Sequence, residues 1–566
     1  MNGKVEQATS PIRQAGRDMI GTIFGRFGKA KVDVRRFISA PAFQALAPFR
    51  GQPSPLVRTS RKVLFFGMCI FLGVFYGFWG TVLPTAFIII LIIPFIVLAL
   101  LLLWILPDGA KAPDRTLITL FLLFTGVTFL WPNYLAIALP GLPWLSMRRI
   151  FGLVMGTVFL VALASSRSMR AQIVAAMQSI PLLWKLIVAF FVTQTFSVIF
   201  SVYPVLAYKH WFNSQYAWTV VFFLSVYVFL GAGNVRRWAK LISIAAVIIS
   251  LIAIAEQRNQ MVLWANHIPP FFKIEDEIIE RILNPNFRGG KYRSQAIFSV
   301  SLAMAEFLAL SFTLILHRFL DKVSMRERIA LFAAMVATVA GIATSGARVG
   351  FVGLVVGLAI YFMIWGYRRY RESKTDVIGA ALTYGYPALL AVAVTLILTV
   401  DALRFRILGG GGSQISNDGR EVQFDMAPPV ILARPIFGYG GGRGADALGY
   451  RTPGGDLTID TYILSIVLDY GIVGFLIFYG AILYALVHVG RLVFNLPNTP
   501  RDKEEDEIGY LLPLIVMLAQ FLFIKTVLSQ EENHSILFMI YGAILALFWR
   551  QKQREAAAPS LERSSR

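Results

Sequence analysis

The chain of 566 residues contains one cysteine and few charged side chains. Cys69 lies inside the first hydrophobic run, so an internal disulfide is impossible and any exported loop must be held by other contacts. Charged residues make up only 15% of the chain, whereas about a quarter is usual in soluble domains. An ordinary water-soluble enzyme is therefore excluded.

Motifs for nucleotides and metals are also missing. The glycine-rich stretch 438–444 lacks the Gly-x-x-x-x-Gly-Lys-Ser/Thr pattern that holds nucleotide phosphates, and its glycines instead predict tight turns. No cluster of histidine, cysteine and carboxylate residues has metal-ligand spacing. We therefore expect no required metal and no other cofactor.

Hydrophobic residues are abundant, at 57% of the chain. They form repeated runs, each long enough to cross a hydrocarbon core of about 30 Å. The pattern predicts an all-α, polytopic integral membrane protein with about 14 transmembrane helices. The predicted spans are 63–82, 85–106, 115–131, 149–166, 181–200, 216–231, 236–255, 295–316, 328–344, 349–366, 377–400, 459–487, 508–527 and 533–549.

The distribution of charge predicts the orientation of these spans. The net charge is +21, and residues 1–62 alone hold twelve lysines and arginines against three acidic residues. Basic residues that flank membrane spans usually face the cytoplasm and its anionic lipids. The charge therefore indicates membrane topology rather than nucleic-acid binding, and it predicts that both termini are cytoplasmic.

This topology divides the chain into three parts. Residues 1–62 form a basic cytoplasmic tail, residues 63–549 a transmembrane domain, and residues 550–566 a cytoplasmic C-terminal tail. Two long polar intervals, at about 256–294 and 401–458, fall on the outer side. No internal repeat and no pair of interrupted helices of the kind found in transporters is visible.

Within the first interval, Lys273 to Leu283 places four isoleucines along one face of a helix. An amphipathic helix on the membrane surface is the prediction, with a specific binding role as the alternative.

Four arginines on the outer side run against the usual charge bias. Arg293 ends the first outer interval, and Arg348 lies in the turn Ser345-Gly346-Ala347-Arg348 between two spans. Arg420 and Arg434 belong to the second outer interval. A guanidinium near hydrocarbon is costly unless it is paired, and its planar geometry suits a phosphate or diphosphate. The alternative for each is a structural pair with an outer carboxylate or a lipid phosphate.

Three further ionisable residues are candidates for chemistry. Asp460 stands at the start of a late span beside Tyr462, where it would serve as a general base or, as the simpler alternative, as the N-cap of the helix. Glu306 lies inside a span, where a carboxylate lines a cavity or pairs with an arginine. His534 follows a short outer turn and would face the side of Asp460, or be structural.

In their order along the chain, these motifs resemble the O-antigen ligase and Wzy-type polysaccharide polymerase superfamily. The matching stretches are Ser345 to Arg348, Arg434-Pro435-Ile436-Phe437-Gly438-Tyr439-Gly440, and Asp460-Thr461-Tyr462 through Asp469-Tyr470-Gly471-Ile472-Val473-Gly474. The last is similar to the family pattern His-Asn-x-Tyr-Leu to Glu-x-Gly-x-x-Gly. Arg293 with Phe298 resembles the arginine-led start of an earlier span. The resemblance covers about residues 115 to 550.

The resemblance implies an inverting glycosyltransferase of the GT-C type in the bacterial inner membrane, with its active site on the periplasmic face. Its donor would be a glycan on undecaprenyl diphosphate, with membrane lipid, a chain-length regulator and export proteins as further partners. Arg293 and Arg348 would neutralise the diphosphate leaving group, and Asp460 would handle the acceptor hydroxyl. The substrate-binding residues would be Arg420, Arg434, Tyr462, Glu306 and His534.

Asp460 stands where ligases of the family have histidine, which favours a polymerase of exopolysaccharide over a ligase that transfers glycan to lipid A-core. It leaves open that His534 supplies an imidazole, or that no dedicated base exists. A lipid-linked glycan flippase is the main alternative outside the enzymes. A solute transporter, for example of an anion, is a weaker alternative because no broken-helix site is visible. A structural scaffold is the weakest, because it explains none of the outer arginines.

Overall fold

The computed structural model describes residues 111–566 except 139–143, 289, 402–413, 453–454, 456, 499–501 and 565–566, together with a few helical positions between Leu56 and Val74. The chain divides into two compact units, Met1–Ala110 and Lys111–Arg566, and the second holds all of the complete helices and strands. The predicted tail 1–62 and the spans 63–82 and 85–106 lie almost wholly outside the described residues.

The second unit is helical, and among the described residues ten helices are long and apolar enough to cross a membrane. This confirms a polytopic helical membrane protein. From 115–131 onward each predicted span coincides with an observed helix, while the total of about 14 stays a prediction. In chain order the helices are α1 Asp114–Leu130, α2 Met147–Ser165, α3 Arg167–Gln178, α4 Pro181–Ile199, α5 Pro204–Leu230, α6 Asn234–Asn259, α7 Glu277–Leu283, α8 Ser301–Leu320, α9 Met325–Thr344, α10 Arg348–Glu372, α11 Val377–Leu396, α12 Gln414–Ala433, α13 Gly444–Leu448, α14 Tyr462–Asn495, α15 Lys503–Ile508, α16 Leu511–Lys525 and α17 His534–Ser564.

Two short antiparallel hairpins complete the secondary structure of the described residues. The first pairs β1 (Ala136–Ile137) with β2 (Leu145–Ser146), and the second pairs β3 (Phe287–Arg288) with β4 (Lys291–Tyr292). Each hairpin lies in a connection that leads into a long helix.

Helices α8 and α16 form the centre of the bundle, and α8 packs against α6, α9, α10 and α16. Gln520 of α16 joins three helices, because its amide donates to the carbonyl oxygens of Ala309 and Gly353 and accepts from Thr313. By contrast, α9 exposes Ile329, Phe332 and Val336, as expected for a helix that faces lipid. The buried polar contacts therefore hold the helices in the centre, where no water can satisfy them.

The structure departs from the predictions in three places. Residues 401–458, predicted as a polar interval, contain α12 and α13. Helix α12 was not predicted from the sequence because Gly419 and the pair Pro428-Pro429 are typical helix breakers. Helix α14 is interrupted at Gly471, with φ 72° and ψ 179°. Helix α5 starts well before the predicted span at 216, and both α5 and α11 contain a π-helical turn.

The connections that carry the candidate residues meet at one end of the bundle, which we call the loop end. It consists of the described residues within 131–146, 200–203, 260–300, 345–347, 434–461 and 526–533. Trp264 donates to the hydroxyl of Tyr134 at 3.1 Å, and Ser529 donates to the carbonyl oxygen of Ile459 at 2.5 Å. The described parts of the two long polar intervals lie at the same end of the bundle, since the charge of Arg288 acts on Asp460. The side of the membrane that this end faces stays a prediction.

The amphipathic segment of the first interval also lies at the loop end. Ile274 and Ile279 are buried against Tyr134, Leu135 and Ala136, while Ile278 is exposed. The segment 274–283 thus packs one side against another loop of the protein and leaves Ile278 exposed.

Candidate functional site

Arg293 and the turn before α10 form one structure. The Nε of Arg293 donates to the carbonyl oxygen of Ser345 at 3.0 Å, and the next residue, Ser294, donates its backbone N–H to Thr344 at 3.1 Å. The Arg293 side chain runs beside Gly346, whose φ of +59° favours glycine and where a Cβ would lie 3.3 Å from Arg293 Cγ. The glycine therefore lets the arginine lie flat against the turn.

The environment of Arg293 is that of a buried cation. Its side chain is only 9% exposed. Burial and, to a lesser extent, the neighbouring charge of Arg288 together lower the pKa of Arg293 to about 10. Arg293 still carries its charge at neutral pH, and it forms no ion pair among the described residues that would cancel that charge.

Arg348 is the first residue of α10 and is exposed. It makes no hydrogen bond and no ion pair with the residues that the structure describes. A cation at a helix N-terminus opposes the helix dipole, which costs about 0.3–1 kcal/mol, while an anion is favoured there. An anion bound by Arg348 would reverse this unfavourable interaction, so the position suits a phosphoryl oxygen.

Asp460 offers a carboxylate that the fold does not use. The N-cap of α14 is Thr461, whose hydroxyl accepts from the N–H of Leu464 at 3.4 Å, so the cap interpretation of Asp460 is wrong. The backbone N–H of Asp460 donates to Gln423 of α12 at 2.9 Å. Its half-buried carboxylate accepts no hydrogen bond from the described residues.

The charge around Asp460 links it to the arginines. Burial raises the pKa of Asp460, while Arg420 and then Arg288 act in the opposite direction. Arg288 also lowers the pKa of Arg293. Arg288 thus acts electrostatically on both Asp460 and Arg293, and Arg420 acts on Asp460. We use the name arginine–aspartate cluster for Asp460, Arg420 and Arg293, together with Arg348 at the turn that Arg293 contacts.

Arg434 and Glu306 contact other parts of the fold. Arg434 donates to the carbonyl oxygen of Phe200 at 2.5 Å and lies over the ring of Tyr439, so it fastens the second interval to the end of α4. Glu306 is fully buried and pairs with the equally buried Lys525 at 3.0 Å. These contacts are structural, and a role in substrate binding stays a prediction for both.

Tyr462 and His534 are buried next to each other, with ring centroids 4.8 Å apart. The Tyr462 hydroxyl donates to Glu531 at 3.2 Å. His534 also stacks on Trp218 at 5.1 Å, and neither of its ring nitrogens makes a hydrogen bond with the described residues. The imidazole of His534 is thus fully buried among aromatic rings, whereas Asp460 is half-buried. Which of the two acts on an acceptor stays a prediction.

The glycine loop, residues 438–444, makes the tight turns that its sequence predicts. Gly438, Gly440 and Gly442 have φ values of 67°, 108° and 69°. The backbone N–H groups of residues 442, 443 and 444 donate to the carboxylate of Asp469 at 2.9, 2.9 and 2.6 Å. The loop therefore binds an anion of its own chain. The break at Gly471 lets the next residue donate to Pro435 at 2.8 Å, which completes the attachment.

A cavity of about 310 Å³ opens beside the cluster, and its residues were not among the predictions. It is lined by Arg148 and Arg149 from the start of α2, by His210, and by Glu531 and Glu532. His210 Nε2 lies 3.2 Å from a carboxylate oxygen of Glu531. We call it the Arg148–Glu532 cavity. The sequence signal that could have indicated this cavity is the adjacent pair Arg148-Arg149. The pair lies on the predicted outer side of a span, against the usual charge bias, as Arg348 does.

The cavity and the cluster are connected by hydrogen bonds of residues 529–532. Glu531 accepts from Tyr462, two residues after Asp460, and Ser529 bonds to Ile459, the residue before it. The backbone N–H of Ser299, in the connection that follows Arg293, donates to Glu532 at 3.3 Å. The two sites therefore adjoin at the loop end. Among the described residues no group of three histidines, cysteines or carboxylates is placed to hold a metal ion.

Comparison with models of protein families gives a match to part of the chain. The family model described as O-antigen ligase matches residues 333–479, which include the turn with Arg348, helix α12, the glycine loop, Asp460 and Asp469. No curated protein matches the chain. The matched region contains three of the four motifs on which the resemblance was based and confirms it over these residues, whereas Arg293 with Phe298 lies outside the match. Residues 333–479 of the chain are therefore similar to the O-antigen ligase family.

Proposed function

We propose that the protein is a glycosyltransferase that polymerises undecaprenyl-diphosphate-linked oligosaccharide units into exopolysaccharide or O-antigen. The observation that supports it most directly is the coupling of Arg293 to the turn that carries the exposed Arg348. Neither guanidinium forms an ion pair with the described residues, so the positive charge of both is available to a diphosphate. The reaction would take place at the loop end of a GT-C-type fold, on the periplasmic face of the inner membrane, with both termini cytoplasmic.

The chemistry follows from the arginine–aspartate cluster. The acceptor hydroxyl attacks the anomeric carbon of the donor sugar, and the bond from that carbon to the diphosphate oxygen breaks. The electron pair leaves with undecaprenyl diphosphate, whose negative charge Arg293 and Arg348 stabilise. The proton of the hydroxyl passes to Asp460. Attack opposite the leaving group inverts the anomeric configuration.

Polymerisation is preferred to ligation because Asp460 stands at the position that is histidine in ligases of the family. The half-buried carboxylate without a hydrogen bond is a suitable base, since burial already raises its pKa. A flippase would need cations within a central passage, whereas Arg348 is exposed at the loop end. Membrane lipid, a chain-length regulator and export proteins are the further partners of this proposal.

The test uses the purified protein in lipid with its host's undecaprenyl-diphosphate repeat unit, without metal or nucleotide sugar. We expect a ladder of longer lipid-linked glycans. Arg348→Ala should abolish the ladder at unchanged protein abundance, and Arg281→Gln, an exposed arginine on α7, is the matched control.

Other outcomes distinguish the alternatives. Transfer of single units to added lipid A-core, without a ladder, would identify a ligase. Movement of the unchanged repeat unit across the bilayer would identify a flippase. A full ladder from Arg348→Ala would refute the assignment of the diphosphate site.

A further inference from the structure

We propose that the Arg148–Glu532 cavity binds the carboxylate of an acidic sugar, such as a uronic acid, in the glycan on which the enzyme acts. The cavity itself is a binding site independent of any reaction. The identity of its ligand as a part of the glycan rests on the proposed function.

The cavity contains two arginines that no acidic side chain neutralises by direct contact. Arg148 donates to the hydroxyl of Ser535 at 2.8 Å, and its buried Nε has no hydrogen-bond partner among the described residues. Arg149 donates to the backbone oxygen of Trp144. Neither arginine forms an ion pair within the part of the chain that the structure describes. Both lie in the first turn of α2, where the helix dipole adds to their positive field.

The two acidic residues of the cavity are occupied or close to neutral. Burial raises the pKa of Glu531, but His210 and Tyr462 reverse this effect, and the resulting pKa of about 2 leaves the group ionised in its pair with His210. Burial raises the pKa of Glu532 to about 7, and its oxygens accept hydrogen bonds from Ser299. At neutral pH the cavity thus keeps a net positive charge.

The other walls suit a sugar. Trp144, Tyr216 and Trp218 present aromatic rings, while Asn133 and Asn213 present amides that bind hydroxyl groups. The volume is near the lower limit for ligand pockets, about 300–1,000 Å³, so it fits one sugar residue or a very short glycan. A diphosphate is a poorer ligand, because its higher charge would meet Glu531 and Glu532 and it has no use for the amides.

The position of the cavity agrees with this ligand. Its wall includes Glu531, which holds Tyr462, and Tyr462 follows Asp460 closely in the chain. An acidic sugar held by Arg148 and Arg149 would thus lie next to the group that receives the acceptor proton. The cavity would select acceptors in which the sugar with the attacking hydroxyl, or its neighbour, carries a carboxylate.

Direct binding tests the inference without turnover. The probes are methyl β-glucuronide and its neutral match, methyl β-glucoside, measured by saturation-transfer NMR on the full chain in lipid nanodiscs. Wild type should bind the glucuronide at least about tenfold more tightly, because the carboxylate gains charge-assisted hydrogen bonds. Arg149→Gln and Arg148→Gln should remove this preference. Lys209→Gln, an exposed neighbour of His210 that does not line the cavity, should keep it.

The two arginine variants have different risks. Arg148 bonds to Ser535 and its replacement can weaken the fold, whereas Arg149 only meets a backbone oxygen near the surface. Loss of preference in Arg149→Gln alone, with unchanged thermal unfolding, therefore supports the inference.

Three results would overturn it. The first is equal binding of the two probes, and the second is glucuronide binding that survives both arginine substitutions. The third is displacement of the glucuronide by geranyl diphosphate in wild type but not in Arg348→Ala, which would make the cavity part of the diphosphate site. Failure of the proposed function looks different: no glycan ladder forms, while arginine-dependent glucuronide binding persists.

Discussion

Asp469 accepts hydrogen bonds from three backbone N–H groups of the glycine loop, whereas the carboxylate of Asp460, earlier in the same segment, accepts none from the described residues. Asp469 is 1% exposed and Asp460 is half-buried. The two aspartates therefore have different roles in the molecule. A carboxylate whose lone pairs are occupied holds the fold together, and one whose lone pairs are left open can accept a proton.

The arginines show the same contrast. Arg434 is held by a backbone oxygen and an aromatic ring, and Arg348 has no such partner among the described residues. Neither difference follows from position in the sequence, since all four residues belong to the family-matched region. It follows from which backbone groups the folded loops bring near each side chain.

The strongest test of this contrast is the removal of the open carboxylate. Asp460→Asn should lower the rate of glycan transfer about 10²- to 10⁴-fold, because a general base contributes on that scale. The rate is measured from the ladder of lipid-linked products at equal protein. The unfolding temperature should not change, since Asp460 bonds to Gln423 through its backbone. Wild-type rates in this variant would exclude Asp460 as the base.

Replacement of the open arginine should give the next largest effect. Arg348→Ala should lower the rate about 10²- to 10³-fold, as expected for the loss of one group that stabilises developing charge. Arg348→Lys should recover only a small part, because the planar two-point contact to phosphate is lost. The comparison of the two variants in the ladder assay checks this. Full recovery by lysine would show that charge alone, without geometry, is required.

The occupied carboxylate should affect stability instead. Asp469→Asn should lower the free energy of unfolding by about 2–4 kcal/mol, because the amide cannot accept from all three donors and leaves buried N–H groups unpaired. Unfolding in detergent micelles measures it. Asp446→Asn is the control, since its partly exposed pair with Arg443 should contribute at most about 1 kcal/mol. Equal stability of both variants would contradict the structural role of Asp469.

The smallest effect concerns pH. Asp460 acts when deprotonated, and burial raises its pKa, so activity should fall at a pH above the ordinary aspartate value of about 3.9 as the solution is acidified. Arg420 lowers this pKa, so Arg420→Gln should move the acidic limb to still higher pH. The pH dependence of the transfer rate in the two proteins measures the difference. A shift toward lower pH would mean that Arg420 does not act through Asp460.

Hydrophobic run length alone determined the class of protein and the positions of the described spans. A helix must cross about 30 Å of hydrocarbon without leaving backbone groups unpaired, so length and composition suffice to find it. The charge bias likewise predicted both polar intervals on one side, and the sequence motifs indicated the family whose model matches residues 333–479. These predictions depend on local composition and on the order of motifs, which are read directly from the chain.

Only the tertiary structure decided the state of the side chains. It showed that Thr461 caps α14, that Glu306 pairs with Lys525, and that His534 lies among aromatic rings. It also formed the cavity from Arg148 and Glu532, which are distant in sequence. Hydrogen bonding and burial depend on neighbours brought together by helix packing, and these neighbours are not encoded in any local pattern. Whether a polar residue is structural or chemically available is therefore a property of the fold.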